Sequence, residues 1–245
     1  MKPGEYSNQG QGITVTNDLA VIRREVSASR HTFVIQKYIE KPFLVHRRKF
    51  DIRVFALVTI INGVVQAYFY QEGYLRTATR EFTLEQLGNR FVHLTNDAVQ
   101  KKSADYGKHE SANKLSYQDF QRYLDATGHD VDFVLDVLPR IKGIVHDTIK
   151  ATHAQLDPEL KAHTFEVFGY DFLLDQRLKP WLLEINTNPC LDLASPHLAR
   201  IIPAMLENSL KIALDPLFPE PTSQRRATEA LTENKYELIF HSGTC

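Results

Sequence analysis

The pattern of apolar and polar positions changes character several times along the chain. Thr32 to Glu40 is rich in β-branched and aromatic residues and predicts a strand. Lys49 to Ile61 predicts a second, with Val64 to Gln71 as its partner. Between these two β-branched runs stands Asn62-Gly63, a pair that tolerates positive φ at both central positions of a hairpin. After a loop at Glu72-Gly73, Tyr74 to Arg80 reads as extended. Residues 97 to 115 are polar without periodicity and predict a connection. Ser116 then opens a helix carried by Tyr117, Phe120, Tyr123 and Leu124 and closed by Gly128. Val131 to Leu156 is amphipathic, with Val134, Leu138, Ile141, Val145 and Ile149 on one stripe and a kink expected at Pro139. A hairpin over about 165 to 187 follows. Ser195-Pro196 reads as an N-cap with proline at the first helical position, opening a helix to Leu214 interrupted near Pro203. From Pro219 the composition turns polar, which predicts a tail with little to bury. Strands, then helices, then a hairpin make the fold class α+β, with a largely antiparallel sheet and flanking helices.

Composition narrows the function. The 245 residues are 43% hydrophobic and 24% charged, enough for one sizeable core. A net charge of −1 makes no case for nucleic acid, so any electrostatic reasoning must be local. Cys190 and Cys245 are too few for a disulfide framework or zinc cluster and point to a reducing compartment; Cys190 reads as a small packed hydrophobe. Met1-Lys2-Pro3-Gly4-Glu5-Tyr6 lacks the apolar core of a secretory signal. The longest apolar stretch, Val54 to Ile61, falls far short of the ~18 residues of a membrane span. The expectation is a soluble, cytoplasmic protein with neither nucleic acid nor membrane as partner. The ten histidines are scattered and no serine sits in a nucleophile elbow, so neither is assigned chemistry.

Two segments of opposite charge carry the candidate chemistry. If Gln176 and Arg177 form a two-residue turn, Asp175 faces Leu178 and Asp171 faces Leu182. Alternation then places Asp171, Glu184 and Asn186 on one face, and Phe172, Leu174, Trp181, Leu183 and Ile185 on the other. Diagonal neighbours lie ~7–8 Å apart, a span that one or two hard cations bridge. Two carboxylates and an amide oxygen suit magnesium, which shares its shell with substrate phosphates. The bland alternative is a solvated polar face; the turn formers Asn186-Thr187-Asn188-Pro189 favour a site by exposing the carboxylate. Upstream, Lys37, Lys41, Arg47, Arg48, Lys49 and Arg53 face only Glu40 and Asp51. A solvated face explains most such runs. Arg53, however, lies in an alternating strand between Ile52 and Val54, where a guanidinium needs an anion, and Arg76 raises the same question. Gly10 and Gly12 belong to a loop that can offer backbone N–H groups to phosphate or be a plain surface turn; it lacks the Walker A pattern. Acidic groups for magnesium, set against basic groups for phosphate or carboxylate, point to an ATP-driven enzyme.

Seven runs in order resemble the tubulin tyrosine ligase family, a branch of the ATP-grasp enzymes. They are Lys2-Pro3 with the Gly10/Gly12 loop, Gln36-Lys37-Tyr38-Ile39, Lys49-Phe50-Asp51-Ile52-Arg53, Leu75-Arg76-Thr77-Ala78, His93-Leu94-Thr95-Asn96, Gly169-Tyr170-Asp171-Phe172 and Leu183-Glu184-Ile185-Asn186. The resemblance runs from residue 2 to about 219. It implies an ATP-grasp catalytic core at 1–219 and a tail at 220–245. Family members carry further chain before the Lys-Pro pair, which here follows Met1, so the usual N-terminal part is expected to be lacking.

The resemblance also implies roles. Lys2 would contact ATP phosphates beneath Gly10 and Gly12. Gln36, Lys37, Tyr38 and Ile39 would form the adenine hinge, Lys49 and Asp51 would contact the nucleotide, and Thr95 and Asn96 would adjoin it. Asp171, Glu184 and Asn186 would hold Mg2+. Arg53 and Arg76, with Thr95, would face the acceptor carboxylate, the acyl phosphate or the incoming amino acid, and Glu184 would serve catalysis as well as the metal. The implied reaction activates a carboxylate of the acidic C-terminal tail of tubulin, or a similar tail, as an acyl phosphate. The amine of a free amino acid then displaces phosphate. The implied location is the cytoplasm and the microtubule cytoskeleton, including the cilium or basal body.

Which amino acid is joined stays open between tyrosine, glutamate and glycine. Residues 48–53, 73–78 and 106–108 look closest to tyrosine ligase itself, whereas Asn186-Thr187-Asn188-Pro189 looks more like the glutamylating and glycylating members. Two alternatives stand beside this reading: an ATP-grasp ligase with another acceptor, and an inactive microtubule-binding pseudoenzyme. Retention of Asp171, Glu184 and Asn186 together argues against the latter.

Overall fold

A computed structural model describes residues 1–4, 10–156, 163–218 and 233–244. In chain order the strands are β1 (Lys2–Pro3), β2 (Phe33–Val34), β3 (Leu44–Val45), β4 (Arg48–Ile61), β5 (Val64–Tyr70), β6 (Tyr74–Glu81), β7 (Lys114–Leu115), β8 (Thr164–Leu174), β9 (Pro180–Asn186) and β10 (Tyr236–His241). The helices are α1 (Leu19–Ser27), α2 (Arg90–His93), α3 (Asp97–Gln100), α4 (Tyr117–Ala126), α5 (Leu138–Leu156) and α6 (Pro196–Leu214). The chain divides into two compact units. One comprises Met1–Asp51, Leu75–Leu115 and Leu173–Trp181; the other comprises Ile52–Tyr74, Ser116–Phe172 and Leu182–Cys245. Among the described residues no helix is long and apolar enough to cross a membrane.

In the first unit, β1 pairs antiparallel with β2, and Lys2 stands opposite Val34. The strand expected over Thr32 to Glu40 shrinks to Phe33–Val34, since its partner β1 is only two residues long. Helix α1 escaped the sequence reading. It buries none of its residues and is opened by Asp18, whose Oδ1 accepts the Ala20 N–H at 2.7 Å. A turn with His46 and Arg47 at φ 47° and 62° folds β3 back onto the start of β4. The segment 97–115, expected to be a plain connection, contains α3, a 3₁₀ turn at Ser111–Asn113 and β7. Buried polar side chains organise it. Gln100 Oε1 accepts the Thr79 N–H at 2.8 Å, and Asn113 Nδ2 donates to Thr77 O at 3.0 Å. Such bonding leaves no hydrophobic period to read.

In the second unit β10, β5, β4 and β8 form consecutive antiparallel pairs, and β9 extends the ladder beside β8. Asn62 and Gly63 take φ of 52° and 77°, so the β4–β5 turn forms as its sequence predicts. Helix α4 begins at Ser116, whose hydroxyl accepts the Asp119 N–H at 3.0 Å while Asp119 accepts the Ser116 N–H at 3.1 Å. Gly128, at φ 75°, lies just past its end. The long amphipathic stretch differs from expectation at its start. Phe133–Val137 forms a π-helical turn, which leaves Val134 exposed and off the stripe. Leu138, Ile141, Val145 and Ile149 do make the buried stripe of α5. Pro139, where a kink is expected, lies in the first turn of α5, directly after the π-helical turn.

Helix α6 starts as predicted, with the Ser195 hydroxyl accepting from Leu198 N–H at 3.2 Å. It runs through Pro203 without the expected interruption, because Ile201, Ile202 and Met205 are buried on either side and hold both halves in line. Their partners in the core are Phe55, Leu57, Tyr70, Tyr74, Leu198 and Tyr236. The expectation of a polar tail fails at Tyr236–His241. This strand pairs with β5 and buries Tyr236 and Phe240, because Tyr-Glu-Leu-Ile-Phe-His supplies the aromatic and β-branched residues that an open sheet edge takes up.

Candidate functional site

Sheet register builds the first cluster. On adjacent strands of the second unit, Arg53 of β4 and Asp171 of β8 are direct cross-strand partners. Both are buried, and the guanidinium grips the carboxylate through Nε to Oδ1 at 2.5 Å and Nη2 to Oδ2 at 3.1 Å. The question raised by Arg53 thus has its anion. From β9, Asn186 Nδ2 reaches Asp171 Oδ2 at 3.5 Å and Gly169 O at 3.3 Å. Glu184, two residues earlier on β9, shares the face of Asn186 by alternation and is half-buried. Gly169 makes room: a methyl group there would lie 2.7 Å from Pro189 Cβ and 3.2 Å from Arg53 Nη1.

The turn of this hairpin is longer than the two residues expected. The Leu178 N–H donates to Asp175 O at 2.8 Å, and the Asp175 N–H donates to Lys179 O at 3.1 Å, with Leu178 at φ 57°. Asp175 therefore faces Lys179, not Leu178, and the Asp175 side chain secures the loop by accepting the N–H groups of Arg177 and Lys179. Beside the β8–β9 ladder, the Asn186 amide also links the two strands at the site through Asp171. Downstream, Cys190 is exposed, contrary to its expected burial, although Pro189 before it is buried.

The first unit holds three further clusters. Buried Lys49 donates through Nζ to His93 O at 2.9 Å and Tyr38 Oη at 3.2 Å, and lies 4.7 Å from the Tyr38 ring centroid. His93 Nε2 lies 3.1 Å from Gln86 O, which assigns its proton there and leaves Nδ1 to accept from the Tyr38 hydroxyl at 2.8 Å. Burial lowers the Lys49 pKa to about 8 against the favourable field of Asp51, and burial likewise lowers that of His93 and raises that of Tyr38. A second cluster pairs buried Asp51 with Arg76, whose Nε lies 3.1 and 3.0 Å from the two carboxylate oxygens; Nη2 also contacts Oδ2. In the third, Gly10, at φ 75°, packs where a methyl would meet Asn96 Oδ1 at 2.9 Å, and its carbonyl accepts from Arg90 Nη2 at 2.7 Å. Gly12 packs on Pro3 next to Lys2, and Thr95 is buried beside Asn96. Gln36 and Lys37 are exposed, whereas Tyr38 and Ile39 are half-buried. Residues 5–9 of the glycine loop lie outside the described residues.

Sequence reasoning passed over His93, Arg90 and the pair Arg48–Glu110, in which Arg48 Nη1 donates to Glu110 Oε2 at 3.0 Å across 62 residues. Only the His93-Leu94-Thr95-Asn96 run hinted at the first of these.

The low pKa of Lys49 has a testable consequence. Its folded value, about 8, lies below the ordinary 10.5, so between these values the unfolded chain binds more protons and stability rises with pH. Below pH 8 the cost of burying the ammonium is fully present. Denaturant unfolding of Lys49→Met is expected to show this rise removed between pH 8 and 10. An unchanged slope would contradict the burial-driven shift.

The donor set on β8 and β9 suits a hard cation. A carboxylate has about four lone-pair sites, and Arg53 takes one on each oxygen of Asp171. Glu184 and Asn186 add a second carboxylate and an amide oxygen, the ligand types magnesium takes.

A family model described as Tubulin-tyrosine ligase family matches residues 1–222. Tubulin glycylase 3B of Tetrahymena thermophila is 33% identical over 216 residues, covering 88% of this chain and 18% of that protein. Tubulin glycylase 3B of Drosophila melanogaster is 33% identical over 244 residues, 97% of this chain and 32% of that protein. Probable tubulin polyglutamylase TTLL9 of Bos taurus is 37% identical over 180 residues, 74% and 38% respectively. The chain thus spans well under half the length of the curated relatives it matches.

Proposed function

Because the chain belongs to the tubulin-tyrosine ligase family, we propose that it is an ATP-dependent ligase joining an amino acid to the acidic C-terminal tail of tubulin. The relatives' names, glycylase and polyglutamylase, make glycine the first amino acid to test and glutamate the second. The observation that carries the reading is the buried Arg53–Asp171 pair joined by Asn186, with Glu184 on the same face of β9. Asn186 ties the pair to β9, and with Glu184 it supplies the oxygen ligand types that a magnesium site takes.

In this reading ATP supplies the phosphoryl group that activates the acceptor carboxylate, and magnesium neutralises phosphate charge. Asp171, Glu184 and Asn186 hold the metal. Arg53 and Arg76 act as positioning residues for Asp171 and Asp51, a narrower role than direct contact with the acceptor, because their Nε and Nη2 donors are committed to those carboxylates. Lys49, aimed by Tyr38 and the His93 carbonyl, contributes positive charge toward the nucleotide. Lys2, the backbone around Gly10 and Gly12, and Thr95 and Asn96 complete the nucleotide contacts, and Gln36, Lys37 and Ile39 take the base. Catalysis is then chiefly positioning and fixed electrostatics. The proposed place of work is the microtubule surface in the cytoplasm.

Incorporation of labelled glycine, glutamate and tyrosine into tubulin tests the proposal. Glu184→Gln is expected to lower incorporation by about 100-fold, in line with loss of one group stabilising transition-state charge. Unaltered incorporation would remove the metal site. Tubulin binding without incorporation of any of the three would make the chain a microtubule-binding protein without ligase activity.

A further inference from the structure

On the face of the sheet opposite Lys49, Asp51 and Arg76 lies a buried network that the proposed reaction does not use. Strands β4 and β6 are neighbours, and alternation points Arg48 away from Lys49 and Asp51, and Thr77 away from Arg76. The carboxylate that pairs with Arg48 comes from a loop. Glu110 stands between exposed His109 and Ser111, yet its side chain is 8% exposed and that of Arg48 2%. Arg48 Nη1 donates to Glu110 Oε2 at 3.0 Å and to Ala78 O at 3.1 Å, and Nη2 contacts Oε1. Thr77 closes the triangle: its hydroxyl donates to Glu110 Oε2 at 2.8 Å and accepts from Arg48 Nη1 at 3.3 Å. All of these residues belong to the first unit.

The backbone that delivers Glu110 is held in a costly shape. Ala112 and Asn113 take φ of 51° and 54°, a left-handed conformation that an alanine keeps only where its surroundings over-determine it. Asn113 supplies those surroundings. Its Oδ1 accepts the Gly107 N–H at 2.7 Å, its Nδ2 donates to Thr77 O at 3.0 Å, and its own N–H donates to Glu110 O at 3.0 Å. The loop thus brings one carboxylate against β4 and β6. A buried ion pair adds little net stability, because desolvation offsets the attraction; its better use is to fix which groups lie together. We propose that Glu110 is a positioning residue that, through Arg48 and Thr77, sets β6 against β4 so that Arg76 on the opposite face meets Asp51. The proposal deepens the function proposed above and rests on it only for the reaction that the Asp51–Arg76 pair serves.

The Arg76 Nε–H lies 3.1 and 3.0 Å from the two Asp51 oxygens. Its NMR cross-peak, identified by its loss in Arg76→Lys, reports on that pair without any turnover. In the full chain, Glu110→Gln is expected to shift this peak and to lower amino-acid incorporation about 100-fold, the scale of a small misplacement near reacting groups. Two further variants separate position from stability. Arg48→Met with Glu110→Leu replaces the pair by apolar groups, which keeps the fold. Thr77→Val keeps the pair and removes only the hydroxyl tie to β6. Both are expected to melt near the parent temperature and still to show a shifted peak and slower incorporation, by about tenfold for Thr77→Val. A peak at its parental position in these two variants would overturn the proposal, since repacking alone satisfies a purely structural clamp. Slowed incorporation with the peak unmoved would overturn it as well, while leaving the ligase reading standing. A shifted peak in a chain whose parent incorporates no amino acid would uphold the positioning role while the ligase reading fails.

Discussion

Arg53→Met is expected to destabilise the protein by about 3–5 kcal/mol, the usual consequence of removing one partner of a buried ion pair. Asp171 is 2% exposed, and both its oxygens accept from Arg53. Without the guanidinium the Asp171 charge stays in a dry setting without that cation. Joint replacement, Arg53→Met with Asp171→Leu, is expected to recover most of the stability, because two apolar groups of similar size need no partner. Urea unfolding of the single and double variants measures both effects. A single variant as stable as the parent would mean that the pair does not hold β4 to β8. The double variant separates folding from function as well: stable, yet stripped of a proposed metal ligand, it should incorporate no amino acid.

Gly73→Ala is expected to cost about 3 kcal/mol, near the upper end of what overpacking a dense core does. A methyl group at this position would fall on the Tyr117 hydroxyl and on the carbonyl oxygen of Arg53, with Tyr117 Cζ at 3.0 Å. Tyr117 is buried against Phe133, their ring centroids 4.8 Å apart, and cannot swing away without opening the contact between α4 and the π-helical turn. The carbonyl belongs to β4, and moving it would shift the residue that grips Asp171. Adding Tyr117→Phe to Gly73→Ala removes the hydroxyl but not the carbonyl, so it should restore less than half of the loss. Thermal unfolding of both variants checks this, and a neutral Gly73→Ala would show that β4 can yield there. Circular dichroism and amino-acid incorporation on the same samples would show whether the shift reaches Arg53.

The elements legible in the sequence share a physical trait: their signals lie within a few residues. Asn62-Gly63 closes its hairpin because both residues adopt positive φ without help from elsewhere. Ser116 and Asp119 cap α4, and Ser195-Pro196 opens α6, through bonds spanning three residues. The α5 stripe from Leu138 to Ile149 follows from helical spacing alone. Where such signals were weak, the reading failed. Pro203 reads as a break in sequence, yet packing on both sides overrides it; Val134 has the spacing of a stripe from which a π-helical turn rotates it away. The strand at Tyr236–His241 lay beyond a polar run and needed the edge of β5 to form.

The residue types of the candidate site were likewise readable. Two carboxylates, an amide and several strand arginines are the groups on which the proposed chemistry rests, and each is visible as a residue type. Their pairing was not readable, since it spans 118 residues for Arg53 with Asp171 and 25 for Arg76 with Asp51. Sequence alone determined the local turns, the caps, the helical stripe and the inventory of charged groups, because each depends on neighbours along the chain. Tertiary structure decided which arginine meets which carboxylate, that His93 aims Lys49, and that Asp175 secures the hairpin tip. Those outcomes depend on strand register and burial, and both are set by the whole packed chain.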